Sequence, residues 1–168
     1  MRRNPTGQLV LSTGHLAMLR AAAEAAYPYE CCGLLVGHGD DMICVTAVLG
    51  CANVAEEPTR RFAIDPQTQF DLLRAVRGTD TRVVGHFHSH PNGSATLSSH
   101  DLAMAHDPET LWVLIPMSAD GRAEDPVAFI CPHPSAPRAV AIHVASGGRP
   151  ADLGTLAERR SAGNGEEG

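Results

Sequence analysis

The chain predicts an α/β fold of the α+β sandwich kind, one mixed β-sheet with helices packed on it. Three observations lead there. Short apolar, β-branched runs interleave with about three stretches of helix-forming composition. The 168 residues are 43% hydrophobic and 19% charged, enough apolar side chains for one core without disulfide or metal staples. No apolar run nears the roughly eighteen residues of a bilayer span, so no membrane segment is expected.

The elements follow in order. HLAMLRAAAEAA (15–26) is rich in strong helix formers, follows the capping candidates Ser12 and Thr13, and stops before Pro28. CCGLLVG (31–37) and MICVTAVLG (42–50) are apolar runs joined by the turn HGDD, which predicts a buried hairpin. RRFAID (60–65) alternates polar and apolar residues and predicts a strand. Asp65 then caps a helix that begins with Pro66 and runs through PQTQFDLLRAVR to near Gly78. RVVGHFHSH (82–90) predicts a strand, Pro91-Asn92-Gly93 a turn, and SSHDLAMAH a further helix start. LWVLIPM, PVAFIC and RAVAIHVA complete the set of strands. These elements read as one domain. From Ser146 the chain turns to Gly, Glu, Ala and Arg, which predicts a flexible C-terminal tail over 146–168 with room for a short helix at 151–160.

Composition narrows the function classes. A net charge of −6, with basic residues dispersed except for short arginine pairs, leaves no nucleic-acid footprint. Cys31, Cys32, Cys44, Cys51 and Cys131 are odd in number and scattered, which suits buried thiols in a reducing compartment rather than a disulfide framework. The opening MRRNPTGQLVLSTG breaks before reaching signal-peptide length. A cytoplasmic protein is therefore expected.

The chemistry concentrates in GHFHSHPNGSATLSSHD (85–101). Residues two apart on a strand share a face at a spacing of about 6.6 Å, so His86, His88 and His90 point the same way. Two such imidazoles can tilt toward one Zn²⁺ at about 2.0 Å. Asp101 lies beyond the Pro-Asn-Gly turn, near a helix start, where its carboxylate can fold back. Two histidines, one aspartate and an open fourth position make a catalytic rather than structural zinc set. Such a site needs a proton carrier outside the ligand shell, and Glu30 in YPYECCGLLVG is the candidate. Ser98 can donate its hydroxyl to a developing oxyanion.

Plainer readings compete at each residue. Ser98 and Asp101 also form the capping-box pattern of a helix start. His86, about 13 Å along the strand from His90, is read as packing beside or supporting the metal ligands rather than as a ligand. His15, His38, His106, His133 and His143 are read as surface or satisfied core residues.

Taken together, Glu30, His88-Ser89-His90-Pro91, seven residues to Ser98 and two more to Asp101 resemble the JAMM, or MPN-plus, metalloprotease motif. ECCGLLVG and RRFAIDPQTQF resemble the surroundings of that motif in small stand-alone bacterial members. The resemblance covers residues 8–145 as one domain and implies a curved mixed sheet flanked by helices, like the cytidine-deaminase sandwich. It also implies one Zn²⁺ per chain on His88, His90 and Asp101, Glu30 as general acid/base and Ser98 at the oxyanion. The implied activity is hydrolysis of the amide after the C-terminal glycine of a ubiquitin-like or sulfur-carrier β-grasp protein. A homodimer stays open. Two other classes are weighed: a cysteine hydrolase on Cys31 or Cys32, and a non-catalytic MPN scaffold that binds metal and a ubiquitin-like partner without chemistry.

Overall fold

The computed structural model describes residues 7–133 and 135–146. The tail expected at 146–168, with its helix at 151–160, lies beyond Ser146 outside the described residues. In chain order the elements are β1 (Gln8–Ser12), α1 (Thr13–Ala26), β2 (Cys32–His38), β3 (Met42–Cys51), α2 (Pro66–Val76), β4 (Arg82–His90), α3 (Ser99–Met104), β5 (Leu111–Pro116), β6 (Val127–Ile130) and β7 (Arg138–Ala145). The sheet is mixed, as expected, and it curves until it closes in the order β1-β3-β2-β4-β5-β6-β7. β1 closes it by pairing in parallel with both β3 and β7.

Two differences from the sequence reading have physical causes. β1 carries no assignment from the sequence: QLVLS is only five residues long, and its partners lie far along the chain. The strand expected at 60–65 is absent. Only Ile64 forms an isolated bridge, to Asn53. The neighbouring backbone bonds instead to the Asn53 side chain, whose Nδ2 donates to Arg61 O at 2.9 Å and whose Oδ1 accepts from Ala63 N at 3.1 Å. One amide thus takes the place of a partner strand.

The core explains why β2 reads as a continuous apolar run. Leu35 points into the main cluster with Leu9, Leu11, Leu19, Phe87 and Val113. Leu34 and Val36 point the other way, against Leu72 of α2. A strand buried on both faces has no polar alternation to show. α1 contributes Leu19 and Ala23, both fully buried, to the main cluster. A third cluster, Leu97, Ala105, Trp112 and Cys131, lies beside α3. Close strand approach is specified by glycine: a Cβ at Gly85 on β4 would overlap the Leu111 carbonyl of β5, and one at Gly33 would overlap Leu49 O and the Phe87 ring. Among the described residues no helix is long and apolar enough to cross a membrane.

α1 starts two residues before the predicted span because Ser12 is its N-cap. Ser12 Oγ accepts from His15 N at 3.0 Å, and Ser12 N donates to His15 Nδ1 at 3.4 Å, a capping box closed by an imidazole. Burial, partly opposed by the Thr46 backbone, lowers the His15 pKa from its ordinary 6.5. The unfolded chain then takes up the proton first as pH falls, so this contribution to stability is present above 6.5 and lost below it. His15→Gln keeps an acceptor at that position without titrating. It is expected to flatten this part of the melting-temperature profile. An unchanged slope below neutral pH would remove His15 from that role.

Candidate metal centre

Strand pairing assembles the site. β4 lies between antiparallel β2 and parallel β5, with His88 opposite Cys32 and Leu114. Antiparallel pairing brings the start of β2 beside the end of β4, so Glu30, just before β2, arrives near His90. Ser89, whose side chain faces away from the histidines, locks that arrival. Its Oγ accepts from Cys31 N at 2.8 Å and its own N donates to Cys31 O at 3.1 Å.

His88, His90 and Asp101 are all buried and converge. His88 Nε2 and His90 Nε2 stand 3.0 Å apart, and Asp101 Oδ2 lies 3.4 Å from the first and 3.3 Å from the second. Donors about 2.0 Å from a tetrahedral zinc ion are separated by about 3.3 Å. The observed triangle fits that ion. The His90 tautomer fits as well: Nδ1–H donates to Ser94 O at 3.1 Å, which turns the Nε2 lone pair inward. His88 is held by ring stacking on Phe62, 4.5 Å between centroids at 23°.

Asp101 and Ser98 are also a helix cap. Ser98 N donates to Asp101 Oδ2 at 2.7 Å and Asp101 N donates to Ser98 Oγ at 3.1 Å, closing the box that starts α3. The plainer reading of this pair therefore holds, and it places the carboxylate on the histidines. Burial alone would raise the Asp101 pKa. Hydrogen bonds from His88 and His90, with the Ser98 backbone, hold it well below the usual carboxylate range. Burial lowers His88 despite the Asp101 bond, whereas for His90 the pull of Asp101 outweighs burial and raises it.

Glu30 is 5% exposed, yet it borders a hollow of about 460 Å³ shared with His90, Ser98 and Arg60. Its backbone is fixed on both sides: N donates to Pro58 O at 2.7 Å, and O accepts from Asn53 Nδ2 at 3.0 Å. Among the described residues its Oε2 has no hydrogen-bond partner. Burial raises its pKa to about 7, with His90 opposing and Asp101 reinforcing the shift. A carboxyl poised near neutrality can both take and return a proton.

His86 lies outside the triangle of His88, His90 and Asp101. It packs edge-on against Trp112 at 4.2 Å between centroids, and burial pushes its pKa down to about 3. His15 is a buried capping residue. Cys31 and Cys32 are buried thiols pushed up to about 11 and about 12, chiefly by desolvation, which leaves little thiolate for nucleophilic chemistry. Sequence reasoning missed three supporting residues: Asn53, Phe62 and Ser89. Only Ser89 had a signal, its alternate parity between two histidines.

Comparison with known proteins bears on the family and the fold. The family model of prokaryotic homologs of the JAB domain matches residues 12–131. A desampylase of Haloferax volcanii is 34% identical over 107 residues, which span 64% of this chain and 75% of the relative. A solved structure from Desulfitobacterium hafniense matches with a TM-score of 0.73 at 26% identity, covering 83% of this chain and 94% of that one. A second, from Salinibacter ruber, matches at 0.61 and 28% identity, covering 82% and 91%.

Proposed function

This chain belongs to the family of prokaryotic homologs of the JAB domain, and on that premise we propose that it is a zinc-dependent peptidase or isopeptidase. The bond cleaved is the amide after the C-terminal glycine of a ubiquitin-like or sulfur-carrier protein. The observation that carries this reading is the meeting of His88, His90 and Asp101 at one point with Glu30 and Ser98 around the same hollow. The relative from Haloferax volcanii carries the name desampylase, and that name supports a hydrolase that removes a protein modifier.

His88 Nε2, His90 Nε2 and Asp101 Oδ2 would hold the zinc ion. When bound, the ion supplies Lewis acidity, polarising a carbonyl and making water a stronger acid. Glu30 takes the proton of the attacking water, stores it in a carboxyl already raised to about 7, and delivers it to the departing nitrogen. Ser98 Oγ accepts from Asp101 N, which leaves its O–H free to donate to the carbonyl oxygen as charge develops. His90 keeps its orientation through Ser94 O.

The test uses β-grasp proteins ending in Gly-Gly, each joined through that glycine to a reporter peptide. Cleavage after the terminal glycine, abolished by a chelator and restored by zinc, is the expected result, with about one zinc per chain by mass spectrometry. Chelator-resistant cleavage that iodoacetamide abolishes would replace this reading with a thiol mechanism. Metal binding with no cleavage of any such fusion would favour the scaffold.

A further inference from the structure

The segment between Asn53 and Phe62 is mounted on Glu30 more firmly than a surface turn requires. The Asn53 amide uses its full bonding capacity: Nδ2 donates to Glu30 O at 3.0 Å and Arg61 O at 2.9 Å, and Oδ1 accepts from Ala55 N at 3.0 Å and Ala63 N at 3.1 Å. Glu57 O then accepts from both Arg60 N and Arg61 N at 3.0 Å, closing the turn. Two arginines are thereby held at the rim of the hollow that contains Glu30, His90 and Ser98.

Both arginines are exposed, and the structure shows no ion pair for either among the described residues. Glu57, on the same turn, pairs with neither. Arg60 and Arg61 line one hollow, which Glu57 also borders, and a planar guanidinium with no partner among the described residues suits a carboxylate, which it can grip through two parallel bonds. The hollow, about 460 Å³, has the size of a small-molecule site.

Glu30 also borders a second hollow of different chemistry, a shallow groove lined by Ala22, Ala26, Tyr29 and Gly50. Glu30 therefore stands between an apolar side and an arginine-bearing side. An extended carrier tail fits the first. A small charged leaving group fits the second.

We propose that Arg60 and Arg61 form a carboxylate-binding subsite for the leaving group, so that the departing part is an amino acid or short peptide with a free carboxylate rather than a lysine of a folded protein. This rests on the peptidase reading above. The reaction balances as hydrolysis: the glycyl C–N bond breaks, water supplies hydroxyl to the glycine and a proton to the nitrogen, and the leaving group keeps its carboxylate.

The probe is the synthetic peptide Ala-Leu-Gly-Gly-Ala, prepared as the free acid and as the C-terminal amide. Wild-type protein with zinc is expected to cleave the acid with a kcat/KM about tenfold or more above the amide. Arg60→Gln/Arg61→Gln is expected to bring that ratio close to one. A second readout is free of turnover: in Glu30→Gln protein, calorimetry should give the acid about tenfold tighter binding than the amide. Equal rates for acid and amide in the wild type, or a ratio that survives in the double variant, would overturn the subsite. If neither peptide is cleaved, the binding ratio alone decides the subsite: equal affinities for acid and amide would overturn it, while the peptidase reading stands or falls on the β-grasp fusions.

Discussion

Glu30→Gln is expected to lower the proposed cleavage of a glycine-ended amide by on the order of 10³-fold without loss of metal binding. Gln has the same shape, and the bonds that fix this position, to Pro58 O and from Asn53 Nδ2, are made by the backbone, so they survive the change. What is lost is the titrating carboxyl to which the proposed mechanism assigns the proton transfer. Folding is expected to improve slightly or hold, because Glu30 Oε2 is a buried oxygen with no described partner. Single-turnover rates, zinc content and the melting temperature of the metal-free variant measure the three effects together. Wild-type turnover in this variant would dismiss Glu30 as proton carrier. A collapse in melting temperature would make it a structural residue.

Asp101→Ala is expected to weaken the proposed zinc binding by more than the roughly 10–100-fold that loss of an outer-sphere partner costs, and to destabilise the metal-free protein by about 1 kcal/mol. The two effects share one atom. Asp101 Oδ2 stands 3.3–3.4 Å from both histidine nitrogens and accepts from Ser98 N at 2.7 Å. Two further variants separate them. Asp101→Asn keeps a carbonyl for the Ser98 N–H but gives up the charge, so metal affinity falls while the metal-free melting temperature holds. Ser98→Ala removes the bond to Asp101 N and loses cap stability but retains zinc. Chelator competition and thermal melts of the metal-free proteins check both quantities. Full zinc affinity in Asp101→Ala would exclude the aspartate as a ligand.

Much of the site was legible because its signals are local. The two-residue period of a strand is enough to place His88 and His90 on one face, and a helix-start pattern is enough to place Ser98 and Asp101 together. Glu30 was legible only through its resemblance to a known motif, since a carboxylate before an apolar run has no intrinsic meaning. Asn53 was not legible at all: an Asn in a polar stretch reads as a turn residue, and its four bonds reach Glu30, Ala55, Arg61 and Ala63, which no period connects. The same bonds explain the strand wrongly expected at 60–65. RRFAID has the alternation of a strand, but its backbone meets a side chain where a neighbouring strand would be.

By itself the sequence determined the helices, six of the seven described strands, the parity of the histidines and the capping box that carries Asp101. Those follow from propensities and periods that act over a few residues, so local chain chemistry decides them. Only the tertiary structure decided that five-residue β1 pairs with both β3 and β7 to close the sheet. It also decided that β2 runs antiparallel to β4 and so delivers Glu30 to His90, and that Phe62 stacks on His88. Such choices depend on which distant surfaces bury each other best, a balance summed over the whole core and written in no single segment.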